Sequence, residues 1–223
     1  MTKSVKNRLL YQLNYLQSIG YKFHEPVDLD ESLGVNSNLP NSLDALKQTV
    51  EHCYLCELCK TRKKTVFGEG SSKAKIMFIG DLPSVSEDDM GRPFVGRSGE
   101  ILTKMIENVL NIKREDVYIT NVLKCKVGNK AININEVNLC KAYLLKEIEL
   151  IKPKIIVTLG EEALKYLKSE EFLELSKIRG QILKFKGSSL IPTYHPSFLL
   201  RNPSLKKEVY IDMLKIKNML EKE

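Results

Sequence analysis

The chain has 223 residues, 43% of them hydrophobic, enough for one well-cored domain with an extension and short of two full domains. No apolar segment approaches the about 18 residues of a membrane span, and Met1-Thr2-Lys3-Ser4 leads into an amphipathic segment rather than a signal sequence, so a cytoplasmic protein with no membrane partner is expected. A net charge of +7 and a pI near 9.0 favour a polyanionic partner, against the plain alternative of lysines on solvated helix faces such as Lys206 and Lys207.

Leu9, Leu10, Leu13, Leu16 and Ile19 recur at helical spacing over residues 4–19 and stop at Gly20. Residues 25–41 are rich in Pro, Asp, Asn, Ser and Gly and read as a linker, so residues 1–41 form a helical extension and 42–223 the main domain. Ser42 is the expected N-cap of a helix reaching about His52. Strands and helices then alternate: strand 75–81, helix 98–110, strand 117–123, helix 135–151, strand 154–160, helix 161–167, edge strand 182–186, strand 189–193, and a closing helix from about Ser204 to Leu220. Near-continuous apolar strands alternating with helices predict an α/β fold, a parallel sheet covered on both faces. Gly80-Asp81, Asn121 and His195 then fall at carboxyl ends of parallel strands and should meet in one crevice.

Asp81, Glu87 and Asp88 follow the first strand in a Pro-containing acidic loop that faces a basic, Gly-punctuated turn with Arg92 and Arg97. His195, pinned by Pro196, can donate a hydrogen bond to charge developing on a leaving group, whereas His24 and His52 read as structural. Asn121 is either an ordinary strand terminator or an amide that reads an imide edge, which uracil has and cytosine lacks. Phe94 is core or a platform that stacks on a planar ring. Basic residues at 60–64, at Arg92 and Arg97, and at Arg201 suit phosphate contacts. Phe198-Leu199-Leu200, expected in an exposed loop after Ser197, suits a wedge between bases, with a hydrophobic staple as the rival.

Five cysteines without an export signal argue against a disulfide framework. Cys53 and Cys56 form a C-x-x-C, Cys125 and Cys140 lie further on, and Cys59 is left over. Two thiolate pairs from distant segments fit a tetrahedral zinc or a cubane iron–sulfur cluster, and spacing alone leaves the two near even.

Cys53-x-x-Cys56-x-Leu58, Val66-Phe67-Gly68-Glu69-Gly70, Gly91-Arg92-Pro93-Phe94-Val95-Gly96, Tyr118-Ile119-Thr120-Asn121, Lys124-Cys125 and the run from His195 through Pro203 together resemble the family 4 uracil-DNA glycosylases, iron–sulfur enzymes of the uracil-DNA glycosylase superfamily. The resemblance covers the chain from about Cys53 to its end. It implies a three-layer α/β/α fold around a four-stranded parallel sheet, and a monofunctional enzyme that flips uracil out of single- or double-stranded DNA and hydrolyses its N-glycosidic bond. It also implies a structural 4Fe-4S cluster on Cys53, Cys56, Cys125 and Cys140, in preference to zinc. By the same match Phe94 stacks on the flipped base, Asn121 reads it, His195 stabilises charge on O2, and Asp81 or Glu87 orients the water. Arg92, Arg97, Ser197, Phe198, Leu199 and Arg201 contact DNA, and a monomer is the expected state. The chain departs from the family where Gly80-Asp81-Leu82-Pro83-Ser84 stands for Gly-Glu-Ala-or-Gly-Pro-Gly, which puts Leu82 against the base. That departure motivates an alternative: a DNA-binding iron–sulfur protein with lost or shifted base specificity.

Overall fold

Residues 39–128, 132–168 and 174–221 are described by the computed structural model. The helix expected over 4–19 and the linker as far as residue 38 lie outside them. Six strands form one sheet: β1 (Glu69–Gly70), β2 (Ile76–Gly80), β3 (Tyr118–Asn121), β4 (Ile155–Leu159), β5 (Leu183–Phe185) and β6 (Ser188–Thr193). Their spatial order is β1-β3-β2-β4-β6-β5. The inner four are parallel and the two edge strands antiparallel, so the expected four-stranded parallel core is present, flanked by two short strands.

The helices are α1 (Leu43–Glu51), α2 (Val85–Met90), α3 (Gly96–Met105), α4 (Ile134–Ile151), α5 (Glu161–Lys168), α6 (Leu175–Ile178), α7 (Pro196–Arg201) and α8 (Lys206–Glu221). Alternation along β2 builds the two core layers. Met77 and Ile79 point to a face covered by Leu46 and Val50 of α1, Leu144 and Ile148 of α4, and Leu164 and Leu167 of α5. Ile76 and Phe78 point to the other face, against Leu102 of α3 and Val209, Met213 and Ile216 of α8. The result is a three-layer α/β/α fold in which each such side chain contributes about 1.5–3 kcal/mol by leaving water. Ser42 caps α1 as expected, its hydroxyl accepting from Ala45 N–H at 3.3 Å.

Two segments expected as loops are helical. Residues 85–90 form α2 because Ser84 and Glu87 close a reciprocal capping box and Gly91 ends the helix in the left-handed region at φ 74°. Residues 196–201 form α7, with His195 as N-cap and Pro196 at the first helical position. The helix buries Leu199 to 2% exposure, which removes the expected DNA contact by that residue, and leaves Leu200 45% exposed. Among the described residues no helix is long and apolar enough to cross a membrane.

The chain leaves β2 for β3 on one side and then crosses to β4 on the other. The carboxyl end of β2 is therefore a switch point where a crevice opens.

Candidate active site and thiol cluster

Gly80 ends β2 directly opposite Asn121, which ends β3. A Cβ at Gly80 would collide with Asn121 Oδ1 and lie 2.7 Å from the Phe94 ring, so the glycine is what lets the amide and the ring approach the strand. Asn121 is 1% exposed, and its Nδ2 has no hydrogen-bond partner among the described residues. A buried amide donor without a partner costs stability and marks a place where a ligand could complete the bonding.

Phe94 holds a left-handed backbone, φ 50°, which a bulky residue adopts only under constraint. Three contacts supply it. Glu87 Oε1 accepts the Phe94 N–H, Arg114 Nη2 donates to Pro93 O at 2.9 Å, and Gly99 has no Cβ to strike the Phe94 carbonyl. The second Glu87 oxygen accepts from Ser84 N–H at 2.6 Å, so this buried carboxylate is occupied on both sides by backbone. Asp88 likewise turns inward, its Oδ1 accepting from Lys63 N–H at 2.9 Å.

Asp81 follows Gly80 and is half-buried at the crevice, its Oδ1 4.0 Å from His195 Nε2. The His195 ring packs on Phe94 with centroids 5.5 Å apart. Ser197 N–H donates to His195 Nδ1 at 3.1 Å, and the Ser197 hydroxyl lies 2.7 Å from the same nitrogen. An Nδ1 that accepts is unprotonated, so the proton of the neutral ring belongs to Nε2, the nitrogen facing Asp81. Burial pushes the His195 pKa below its ordinary 6.5 against the opposing pull of Asp81 and Glu87, which favours the neutral form. The sheet ends thus bring Asp81, Asn121, Phe94 and His195 together.

The residues that depart from the family motif are taken up structurally. Leu82 packs against the core on the α1–α4 face, and the Ser84 hydroxyl accepts from Glu87 N–H at 3.4 Å. Arg92, Arg97 and Arg201 are all exposed, and Arg92 also meets Glu69 in a two-pronged contact, 2.7 Å at each nitrogen. Ser197 and Phe198 are half-buried at the crevice, Phe198 against Tyr194.

Cys53, just past α1, Cys56 at the head of a 3₁₀ turn (Glu57–Lys60), Cys125 after β3 and Cys140 on α4 all line one cavity, with Cys59. Among the described residues no three His, Cys, Asp or Glu side chains converge closely enough to hold a single metal ion. Arg62 Nη1 donates to Cys125 Sγ at 3.2 Å, and Lys124 N–H to Cys140 Sγ at 3.2 Å. Burial pushes the Cys140 thiol up to about 12 and the Cys125 thiol up to about 11, the latter against the pull of Arg62. Both shifts favour the protonated thiol, so a metal centre taking Cys125 and Cys140 as thiolates would release protons.

Sequence reasoning missed Lys124, Glu147 and Thr120, all buried and joined in one network beside Asn121. The signal available was a lysine directly after the apolar pair Val122-Leu123, and a glutamate on the apolar face of a helix between Leu144 and Ile148.

Residues 67–215 match the profile of the Uracil DNA glycosylase superfamily. The chain is 43% identical to the type-4 uracil-DNA glycosylase of Sulfurisphaera tokodaii, over 80% of this chain and 85% of that one. It is 40% identical to the protein of the same name from Thermotoga maritima, over 81% of this chain and 96% of that one. A type-5 uracil-DNA glycosylase of Pyrobaculum aerophilum is 28% identical over 57% of this chain and 63% of its own.

Proposed function

The chain belongs to the type-4 uracil-DNA glycosylases, and on that premise we propose that it is a DNA-repair enzyme that excises uracil by hydrolysing the N-glycosidic bond of an extruded deoxyuridine. The observation that carries the mechanism is the approach of His195 Nε2 to 4.0 Å from Asp81 Oδ1 across the crevice, beside the Asn121 Nδ2 that has no partner among the described residues.

The extruded base slides against Phe94. Asn121 gives its free N–H to the uracil O4 and takes the N3–H on its oxygen, a pattern cytosine cannot match without leaving a buried group unpaired. As the C1′–N1 bond breaks, the bonding pair leaves with the base and spreads onto O2, where His195 Nε2–H donates. Asp81 holds the water that adds to C1′ and receives its proton, and its charge offsets the positive charge on the sugar. Glu87 is a positioning residue, because both oxygens are already given to the backbone of Ser84 and Phe94. Leu200, exposed on α7, is the wedge that fills the gap left by the base, with Arg97, Ser197, Phe198 and Arg201 toward the DNA backbone. Asp81, Phe94, Asn121 and His195 all come from one chain, which supports action as a monomer.

We assign Cys53, Cys56, Cys125 and Cys140 to a 4Fe-4S cluster. Four thiols from separate elements around one cavity support that donor set. When bound, the cluster would supply a structural cross-link between the end of α1, the end of β3 and α4. Incubating cluster-replete protein with single- and double-stranded oligonucleotides carrying one deoxyuridine, and measuring free uracil, tests the assignment. Release that is slowed but still measurable in Asn121→Ala and His195→Ala supports it, and an intact substrate with the parent protein contradicts it.

A further inference from the structure

We infer that Lys124 is a positioning residue for uracil reading, fixing the backbone of Asn121 through a buried ion pair with Glu147; the inference rests on the pocket reading given above.

Lys124 and Glu147 are 1% and 0% exposed, and Lys124 Nζ lies 2.6 Å from Glu147 Oε2. Charges are this deeply buried only when their hydrogen-bonding capacity is met. The ammonium has three N–H groups, and all three are spent: on Glu147 Oε2, on Thr120 Oγ1 at 2.6 Å, and on the Asn121 backbone carbonyl at 2.9 Å. Glu147 is equally occupied. Its Oε1 accepts from Tyr118 OH at 3.1 Å and Gly68 N–H at 3.2 Å, and its Oε2 also takes the Thr120 hydroxyl at 3.1 Å. A fully satisfied network of this kind fixes the groups it touches more firmly than separate neutral bonds would.

The network's place in the fold gives it a task. Asn121 is the last residue of β3, at the point where the strand ladder ends. Without Nζ its carbonyl would lose a buried charged donor where the ladder ends, and the peptide plane that aims the side-chain amide could turn. On its other side Lys124 is anchored through its own N–H to Cys140 Sγ. One residue therefore joins the thiol site, α4 and the amide that meets the base. A hydrophobic pair would have packed this space without the desolvation cost, so the ion pair's contribution here is direction rather than stability.

The test compares Lys124→Met/Glu147→Gln, Asn121→Ala and the triple variant, each loaded with iron. The double substitution removes both buried charges together, so neither is stranded. Measured are iron content, thermal unfolding, and single-turnover uracil release. The expected result is parent-like iron content, a fall of about tenfold or more in release by the double variant, and a triple variant no slower than Asn121→Ala, because the two substitutions remove the same interaction. Release at the parent rate, or losses that multiply in the triple variant, overturns the inference. Loss of iron in the double variant also overturns it, since the residue would then serve the thiol site instead. Should the double variant fail to fold, Lys124→Arg keeps the buried charge, moves its donors off the Asn121 carbonyl, and is compared in the same way. Asn121→Ala acting at the parent rate would remove the pocket reading itself, an outcome distinct from the failure of Lys124.

Discussion

Ser197 directs its backbone N–H at Nδ1 of His195 across 3.1 Å and so decides which ring nitrogen carries the proton. The contact exists because His195 caps α7 with its own side chain. Ring orientation is thus set by helix formation, and Nε2–H is left facing the crevice.

A pH dependence follows. The His195 pKa lies below 6.5 because the ring is buried, so between the folded and unfolded values the unfolded chain binds the extra proton. The stability contributed by the neutral ring is full above 6.5 and is lost as pH falls from there through the lowered value. Protonation of Nδ1 also breaks the Ser197 contact. Uracil release and melting temperature should fall together on the acid side, and His195→Ala, which costs about 10²–10³ in rate, should flatten the acid limb of the remaining activity. Melting curves and rates between pH 5 and 8 check this.

Asp81 and Glu87 should separate cleanly. Asp81→Asn is expected to abolish release while leaving denaturant unfolding nearly unchanged, since the carboxylate is partly exposed at the crevice and its contact with His195 is 4.0 Å long. Glu87→Gln strands one of two backbone N–H groups and should cost about 1–3 kcal/mol of stability. Urea titration beside a rate measurement distinguishes the two.

Leu199 and Leu200 divide in the opposite sense from a shared wedge. Leu199→Ala opens a cavity in the core and should cost about 2–5 kcal/mol. Leu200→Ala should leave stability unchanged and slow release from duplex more than from single-stranded substrate, where there is no stack to prop open.

The cysteines yield a fourth prediction. Serine at Cys53, Cys56, Cys125 or Cys140 should lower iron and sulfide content and the broad visible absorbance, and Cys59→Ser should retain both. Iron analysis of the five variants checks the ligand set.

The parallel core was legible because its strands are buried on both faces, which writes them as unbroken apolar runs such as Ile76–Ile79 and Ile155–Val157. Once the strands were placed, Asp81, Asn121 and His195 had to share one end of the sheet. α2 was not legible by periodicity, having only six residues, although Ser84-x-x-Glu87 carried its capping box in plain view. α7 hid behind a His-Pro pair that reads equally well as a loop. The exposed ion pair of Arg92 with Glu69 joins residues far apart in the chain, so that partner was not legible either. Lys124 after Val122-Leu123 and Glu147 between Leu144 and Ile148 left only a faint signal, and only the packing of α4 beside the end of β3 shows that they satisfy one another.

The most direct measurement of the central claim is the base set free when iron-loaded protein meets matched oligonucleotides carrying deoxyuridine or deoxycytidine at one position. Free uracil from the first and no cytosine from the second is the outcome the pocket geometry predicts. Oligonucleotides that both survive intact, or cytosine released as readily as uracil, would contradict it.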